Sequence, residues 1–305
     1  VRVSVVVPAH DAEATVSGAL RSVLAQTRAA DEIVVVDDGS SDATATVVRD
    51  LEGAGPVRLL SQPQGGPSSA RNAGVAASSG DWVAFLDADD EWHPEKLEHQ
   101  VRAVSDGVVL VATDWAREHV VEPVPEPVPT SQIATTQILL LNRFQTSTVL
   151  LRRQAFDAAG GFDPALDGVE DWDMWLRASR HGRVVKLDWP FVRYTDVATG
   201  YSKALGRVYR TGAVMLHREL GDPPTGRGRA VLAWHHLRFA LAYLLEKDGA
   251  AARSCLSSLR ATGLVGAAPE ATVRYLLPFL AGRVRRRVQG RLGQPRGHVA
   301  GGSPR

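Results

Sequence analysis

Ile33-Val-Val-Val-Asp-Asp-Gly-Ser40 decides the fold: an unbroken β-branched run stops at once in two aspartates, a glycine and a serine. A strand with one wet face alternates apolar and polar residues, whereas a continuous apolar run has both faces covered, as in a parallel sheet under helices. Upstream, Val3-Ser-Val-Val-Val7 ends in Pro8 and reads the same way. Between the two runs, Glu13 to Gln26 places Val16, Leu20, Val23 and Leu24 on one helical face. Downstream, Ser41-Asp42 caps a helix carrying Val47, Val48 and Leu51. Val57–Leu60 predicts a third strand, and Gly65-Gly-Pro67 a turn into a helix that runs through Ala77. Trp82-Val-Ala-Phe-Leu86 predicts a fourth strand leading straight into Asp87-Ala-Asp-Asp90. Strands alternating with helices at this spacing predict an α/β fold, a Rossmann-like, mostly parallel sheet flanked by helices.

The pattern loosens after residue 90. Glu122-Pro-Val-Pro-Glu-Pro-Val-Pro129 excludes helix and central strand and reads as a surface loop. Thr148–Leu151 predicts a further strand and Glu170 to Arg180 a further helix. From about Tyr201 the sequence reads as helical only, with segments over Ala230–Glu246 and Glu270–Val288. In the first of these, Leu232, Trp234, Leu237, Leu241, Leu244 and Leu245 recur at helical spacing and are expected to pack on a core. Gly290–Arg305, rich in glycine, is expected to be disordered. The domains expected are therefore a catalytic unit over 1–200, a helical region over 201–289 and a tail over 290–305.

Net charge is +1 in 305 residues, but the average hides a division. Residues 1–200 carry 17 Lys/Arg against 29 Asp/Glu, and residues 201–305 carry 18 against 5. Two different surfaces, or arginines that merely solvate helices, both account for it. Arg283-Val-Arg-Arg-Arg287 suits peripheral contact with anionic lipid as well as a solvated helix end. A single cysteine, Cys255, excludes an internal disulfide framework. No stretch reaches the ~20 apolar residues of a membrane span. A soluble, cytoplasmic protein is expected, with peripheral membrane contact through the basic helices as an option.

In a parallel sheet the strand ends converge on one edge, and ligands bind there. Three of the early strands deliver polar clusters to that edge: Pro8-Ala-His-Asp11, Asp37-Asp-Gly-Ser40 and Asp87-Ala-Asp89. Carboxylates can serve a nucleotide by accepting from base or ribose donors, or by holding a divalent cation that bridges to phosphates. Walker, nucleophile-elbow and structural-zinc patterns are all missing from the sequence.

Five segments together resemble the successive motifs of family 2 inverting glycosyltransferases, enzymes of GT-A fold. They are Val5-Val-Val-Pro8, Val35-Val-Asp-Asp-Gly-Ser40, Gly66-Pro-Ser-Ser-Ala-Arg-Asn-Ala-Gly74, Phe85-Leu-Asp-Ala-Asp-Asp90, and Gly160-Gly-Phe-Asp163 with Glu170-Asp-Trp-Asp173. The resemblance implies a nucleotide-diphosphate sugar donor, a hydroxyl acceptor of unknown identity, and Mn²⁺ or Mg²⁺ as cofactor; no nucleic-acid partner follows from it. It implies that Pro8, Ala9 and Glu13 line the nucleotide pocket and that Asp38 bonds the base or ribose. Arg71 would reach the diphosphate or sugar, Asn72 would fix its own segment, Asp87 would contact ribose or sugar, and Asp89 would bind the metal. Asp171 would be the base, with Glu170 beside it contacting the acceptor or orienting its neighbour. Asp37 is undecided between function and an Asx turn.

Two departures stand out. Ala9-His10-Asp11 replaces the aromatic and asparagine usual after the proline. Phe191-Val-Arg-Tyr-Thr-Asp196 lacks the metal-completing histidine of many members, for which Asp196 is an oxygen-donor substitute. The membrane helices and Gln-x-x-Arg-Trp signature of processive synthases are missing, which implies single addition. Trp115, Arg143, Phe144 and Trp189 either line an acceptor pocket or pack a core. Two competing readings are a non-catalytic module that binds nucleotide-sugar or a membrane surface, and a sugar-phosphate nucleotidylyltransferase, which needs a Gly/Arg phosphate loop directly after the first strand.

Overall fold

The computed structural model describes residues 1–119, 122–195 and 204–263. In chain order the elements are β1 (Val3–Ala9), α1 (Val16–Leu24), β2 (Glu32–Asp38), α2 (Thr44–Glu52), β3 (Val57–Gln62), α3 (Pro67–Ala77) and β4 (Trp82–Phe85). There follow β5 (Glu91–Trp92), α4 (Lys96–Arg102), β6 (Val108–Ala116), β7 (Thr130–Ile133), α5 (Thr135–Leu140), β8 (Leu150–Arg152), α6 (Arg153–Ala159), α7 (Glu170–Ala178) and β9 (Arg183–Arg193). Helices α8 (Leu205–Leu220), α9 (Gly226–Leu245) and α10 (Gly249–Ala261) close the described chain.

Among the described residues all nine strands join one sheet, in the order β3-β2-β1-β4-β8-β6-β9-β5, with β7 paired to β9. The first four strands pair in parallel, and β6 runs parallel to β9. β8 enters antiparallel between β4 and β6, and β5 and β7 pair antiparallel with β9. Most paired residues lie in the parallel ladders. The apolar runs do what their composition dictates: Val5, Val6 and Val7 of β1 and Val34, Val35 and Val36 of β2 are fully buried on both faces.

One helix lies so close to the sheet that a glycine is required. A Cβ on Gly74 of α3 would stand 2.4 Å from Val6 Cγ1 and 3.2 Å from Val36 Cγ2. Another glycine pair reverses the chain after α6: Gly160 (φ +82°) and Gly161 (φ +75°) both take left-handed backbone. Asn72 clamps that turn, donating from Nδ2 to the Phe162 carbonyl and accepting the Phe162 N–H at Oδ1, both at 2.9 Å.

The second half of the sheet is where the sequence reading was thin. Val108–Ala112 of β6 is an apolar run with buried side chains, and β9 extends over eleven residues, yet neither strand was anticipated. The Thr148–Leu151 strand is displaced: Thr146–Thr148 is a 3-10 turn, and the strand begins at Leu150. Pro-rich residues 122–129 form no helix or strand.

The chain divides into two compact units, Val1–Met215 and the part from Leu216 onward. The sequence reading placed the division at residue 200. The first turns of α8 belong to the first unit, where Arg207 Nη1 donates to Asp167 Oδ2 at 2.8 Å. In the second unit α9 packs on α10, burying Leu232, Trp234, Phe239, Ala240 and Tyr243 of α9 and Ala252 and Cys255 of α10. Leu244 and Leu245 correct the expected stripe, being 54% and 69% exposed. The buried face passes through Phe239, Ala240 and Tyr243, and successive residues turn away from it by about 100° each. The segment Glu270–Val288, the Arg283–Arg287 cluster and Gly290–Arg305 lie outside the described residues. Among the described residues no helix is long and apolar enough to cross a membrane.

Candidate functional site

A cleft of about 490 Å³ opens at the C-terminal ends of β1, β2 and β4, under the start of α7. Its walls include Pro8, Ala9, Asp38, Arg71, Asp87, Asp89, Glu170 and Asp171, so eight separately anticipated residues share one cavity. The cause is topological: parallel strands end on the same edge, and the reversal at Gly160-Gly161 brings α7 back to that edge.

Arg71, 5% exposed, is the centre of the charge arrangement. Its Nη2 donates to Asp87 Oδ1 at 2.8 Å and its Nη1 to Glu170 Oε1 at 3.1 Å, so one guanidinium joins the end of β4 to the start of α7. The guanidinium also lies 5.4 Å from the centre of the Phe162 ring. Glu170 Oε2 accepts the Gly168 N–H at 2.8 Å. The terminal nitrogens expected at a diphosphate or sugar are thus already engaged by two carboxylates, though each keeps a further N–H.

Asp171, half-buried beside Glu170, stands apart from this arginine. Its Oδ2 accepts from Asn142 Nδ2 at 2.9 Å and its Oδ1 from the Trp172 N–H at 2.6 Å. Burial first, then the charge of Glu170, pushes its carboxyl up to about 7; Asn142, Arg71 and the Trp172 N–H pull the other way. At the end of β4, burial and the neighbouring Asp87 push Asp89 up to about 6.

Asp38 lines the cleft as expected and is also held from behind. It is 4% exposed, and its Oδ1 accepts from Gln62 Nε2 at 2.6 Å and from the Gly65 N–H at 2.8 Å, while Oδ2 accepts the Gly66 N–H at 2.8 Å. It braces the turn into α3 and keeps about one of its four acceptor sites for a ligand. Asp37 accepts the N–H of Ser40, three residues on, at 3.1 Å, a local bond that holds the turn after β2. Glu13 departs from the pocket altogether: it is exposed, lies off the cleft wall, and accepts the Ala43 N–H at 2.9 Å at the entrance of α2. A carboxylate at that helix start satisfies an otherwise orphaned N–H, a local use that a motif does not reveal.

His10, in the Ala9-His10-Asp11 departure noted above, lines the cleft. Its Nδ1 donates to the Asp38 carbonyl at 3.0 Å, and its Nε2 lies 3.0 Å from the Gln64 side-chain amide and 3.6 Å from Asp11 Oδ2. Of the four possible acceptor-pocket residues, none lines this cleft. Phe144 is buried, Trp189 packs partly buried against the core, and Trp115 is 38% exposed with its ring 5.1 Å from that of Tyr194. Gln145, Thr146 and Gln64 line the cleft unannounced by any motif, and Tyr194 joins them from the stretch quoted above as Phe191–Asp196. Asn142 was missed as well, since it meets Asp171 across 29 residues, with β8 and α6 between them.

The donor set suits a hard divalent cation. Asp89 offers a carboxylate in a negative, partly desolvated setting, which favours a bound cation, and phosphate sites often take only one or two protein carboxylates. Among the described residues no cluster of three or more metal-binding side chains occurs, and Asp196 lies outside them.

Comparison with known proteins bears on the family and the fold. The sequence model of "Glycosyl transferase family 2" matches residues 4–159. The amylovoran biosynthesis glycosyltransferase AmsB of Erwinia amylovora is 31% identical over 217 residues, covering 63% of this chain and 68% of that protein. Among other curated bacterial relatives, the chain spans 60%, 32% and 31% of three proteins' lengths. Two solved structures share the fold. Staphylococcus aureus TarS 1–349 in complex with UDP-GlcNAc has a TM-score of 0.64 at 20% identity, covering 86% of this chain and 81% of that one. The Pyrobaculum calidifontis mannosyltransferase PcManGT in complex with GDP-Man and Mn²⁺ has a TM-score of 0.62 at 20% identity, covering 91% and 80%.

Proposed function

Because this chain belongs to glycosyl transferase family 2, we propose that it transfers one sugar, with inversion, from a nucleotide-diphosphate donor to an acceptor hydroxyl, using Asp171 as base. The observation that carries this reading is the sorting of carboxylates by Arg71. Glu170 and Asp87 are held by the guanidinium, whereas Asp171 faces the same cleft with a carboxyl raised to about 7. A base must be ionised to take a proton yet basic enough to want it, and a value near neutrality meets both demands.

In this reading the acceptor hydroxyl approaches Asp171 and attacks the anomeric carbon on the face opposite the leaving diphosphate. The C–O bond to the acceptor forms as the bond to the diphosphate oxygen breaks, and the hydroxyl proton passes to a carboxylate oxygen of Asp171. Asn142 holds that carboxylate in orientation and stabilises its ionised form. Glu170, tied to Arg71 and Gly168, fixes the start of α7 and keeps the base in place. Pro8, Ala9 and His10 form the wall against the nucleoside. Asp89 would hold Mn²⁺ or Mg²⁺, which supplies charge neutralisation for the leaving diphosphate. Support for nucleotide-sugar and metal comes from the two fold relatives that bind UDP-GlcNAc, or GDP-Man with Mn²⁺.

The test is a thermal-shift and donor-hydrolysis panel of UDP-, dTDP- and GDP-sugars, each with Mn²⁺ and with excess EDTA. One donor is expected to stabilise the protein and to be consumed only with metal. Full turnover in EDTA, or equal turnover by Asp89→Ala, overturns the metal assignment; no response to any donor overturns the reading as a whole.

A further inference from the structure

Behind the carboxylate loop, the 3-10 turn Thr146–Thr148 places a fully buried serine between two residues of that loop. The Ser147 hydroxyl accepts the Asp87 N–H at 3.0 Å and donates to Asp90 Oδ2 at 2.5 Å. Asp90 is 1% exposed, and its other oxygen accepts the Thr195 N–H at 2.9 Å. An unbroken hydrogen-bonded chain therefore runs from Asp87 through Ser147 and Asp90 to Thr195. Its two ends border the cleft, through Asp87 at one end and Tyr194, beside Thr195, at the other.

The serine is itself held. Trp92 Nε1 donates to the Ser147 carbonyl at 2.9 Å, and Gln100 Nε2 donates to the Thr148 carbonyl at 2.9 Å. Gln100 Oε1 in turn accepts from the buried Lys96 Nζ at 2.8 Å, which sits 3.7 Å over the Trp92 ring. A hydroxyl fixed on a rigid base can transmit position from one partner to the other, because buried polar groups keep their bonds rather than lose them uncompensated.

We infer that Ser147 and Asp90 form a latch that sets the Asp87–Asp89 loop against the end of β9, and that both are positioning residues for sugar transfer. The inference rests on the proposed reading for its link to transfer. Sites of this kind need groups held to fractions of an ångström, and removing a supporting partner typically costs 10- to 100-fold.

The test compares Ser147→Ala, Asp90→Ala and Asp90→Asn by donor turnover and by amide hydrogen exchange in the intact chain. Asparagine can still accept from Thr195 and can donate to the Ser147 oxygen. Ser147→Ala and Asp90→Ala are expected to lower kcat roughly 10- to 100-fold with a smaller change in donor KM, and Asp90→Asn to recover most of kcat. In Ser147→Ala, exchange is expected to accelerate at Thr195 as well as at Asp87, although Thr195 never touches the serine. Wild-type kcat in Ser147→Ala, acceleration confined to Asp87, or Asp90→Asn as impaired as Asp90→Ala each overturns the latch. If either alanine variant loses protection throughout the chain, Asp90→Asn alone decides: recovery sustains the latch and impairment overturns it. A wild type that consumes no nucleotide sugar defeats the glycosyltransferase reading instead, while amide exchange still tests the latch.

Discussion

The end of β4 and the start of α7 each bring a pair of carboxylates to the cleft, and the two pairs are treated alike. In each, one member is held by Arg71: Asp87 at 2.8 Å and Glu170 at 3.1 Å. In each, the other member makes no ion pair among the described residues and has its carboxyl pushed up, Asp89 to about 6 and Asp171 to about 7. Four carboxylates in a half-desolvated space repel one another, and one buried cation cannot neutralise them all. Arg71 therefore divides the four into two anchors and two groups without a cationic partner, which the proposed function assigns to a cation and a proton. The proposed functions of Asp89 and Asp171 follow from what they lack as much as from what they are.

The widest test of that division is Asp171→Asn. It keeps the shape of the side chain while removing the base, so kcat is expected to fall roughly 10²- to 10⁴-fold with nucleotide affinity retained. Near-normal turnover would transfer the role to Glu170 and break the symmetry between the pairs. Arg71→Ala attacks the anchors instead. It leaves Glu170 buried without its cation, and a loss of about 3 kcal/mol in urea denaturation is expected, at the lower end for a broken buried pair because Asp87 is partly solvated. An unchanged denaturation midpoint would show that the arginine is no anchor.

The pH dependence sharpens the comparison further. On the proposed reading Asp171, its carboxyl pushed up to about 7 by burial and Glu170, would act as base only when ionised, so kcat/KM is expected to rise about tenfold per pH unit below 7 and level off above it. Asn142→Ala removes a hydrogen bond that favours the ionised form, and the limb should move to higher pH. A limb that stays in place in that variant would assign the titration to another group. The smallest effect is expected at Glu13→Ala, where loss of the bond to the Ala43 N–H costs about 1 kcal/mol of stability. Nucleotide affinity should stay at the wild-type value; a drop would return Glu13 to the pocket.

Much of the fold was legible in the sequence because buried parallel strands leave a local signal. Val3–Val7, Ile33–Val36 and Trp82–Phe85 are apolar on both faces, and each runs into polar residues at the binding edge. Strands β6 and β9 were harder to read. β8 separates them from the parallel half, and β9 mixes apolar residues with Lys186, Asp188 and Pro190, since its outer stretch is only half-buried. Glu13 shows another limit. A carboxylate that reads as a ligand group in a motif can equally hold a helix entrance, and only its neighbours in space tell which.

By itself the sequence determined the parallel first half of the sheet, the edge on which its polar residues meet, and the pairs Asp87/Asp89 and Glu170/Asp171. Periodicity and strand-end chemistry are local, and a local pattern suffices for both. Tertiary structure alone decided which member of each pair is spent on Arg71, that Asn142 stands behind Asp171, and that Ser147 joins Asp87 to Thr195 through Asp90. Those are contacts across 16 to 105 residues of chain. They depend on the angle at which a helix returns to a sheet, and no spacing in the sequence encodes that angle.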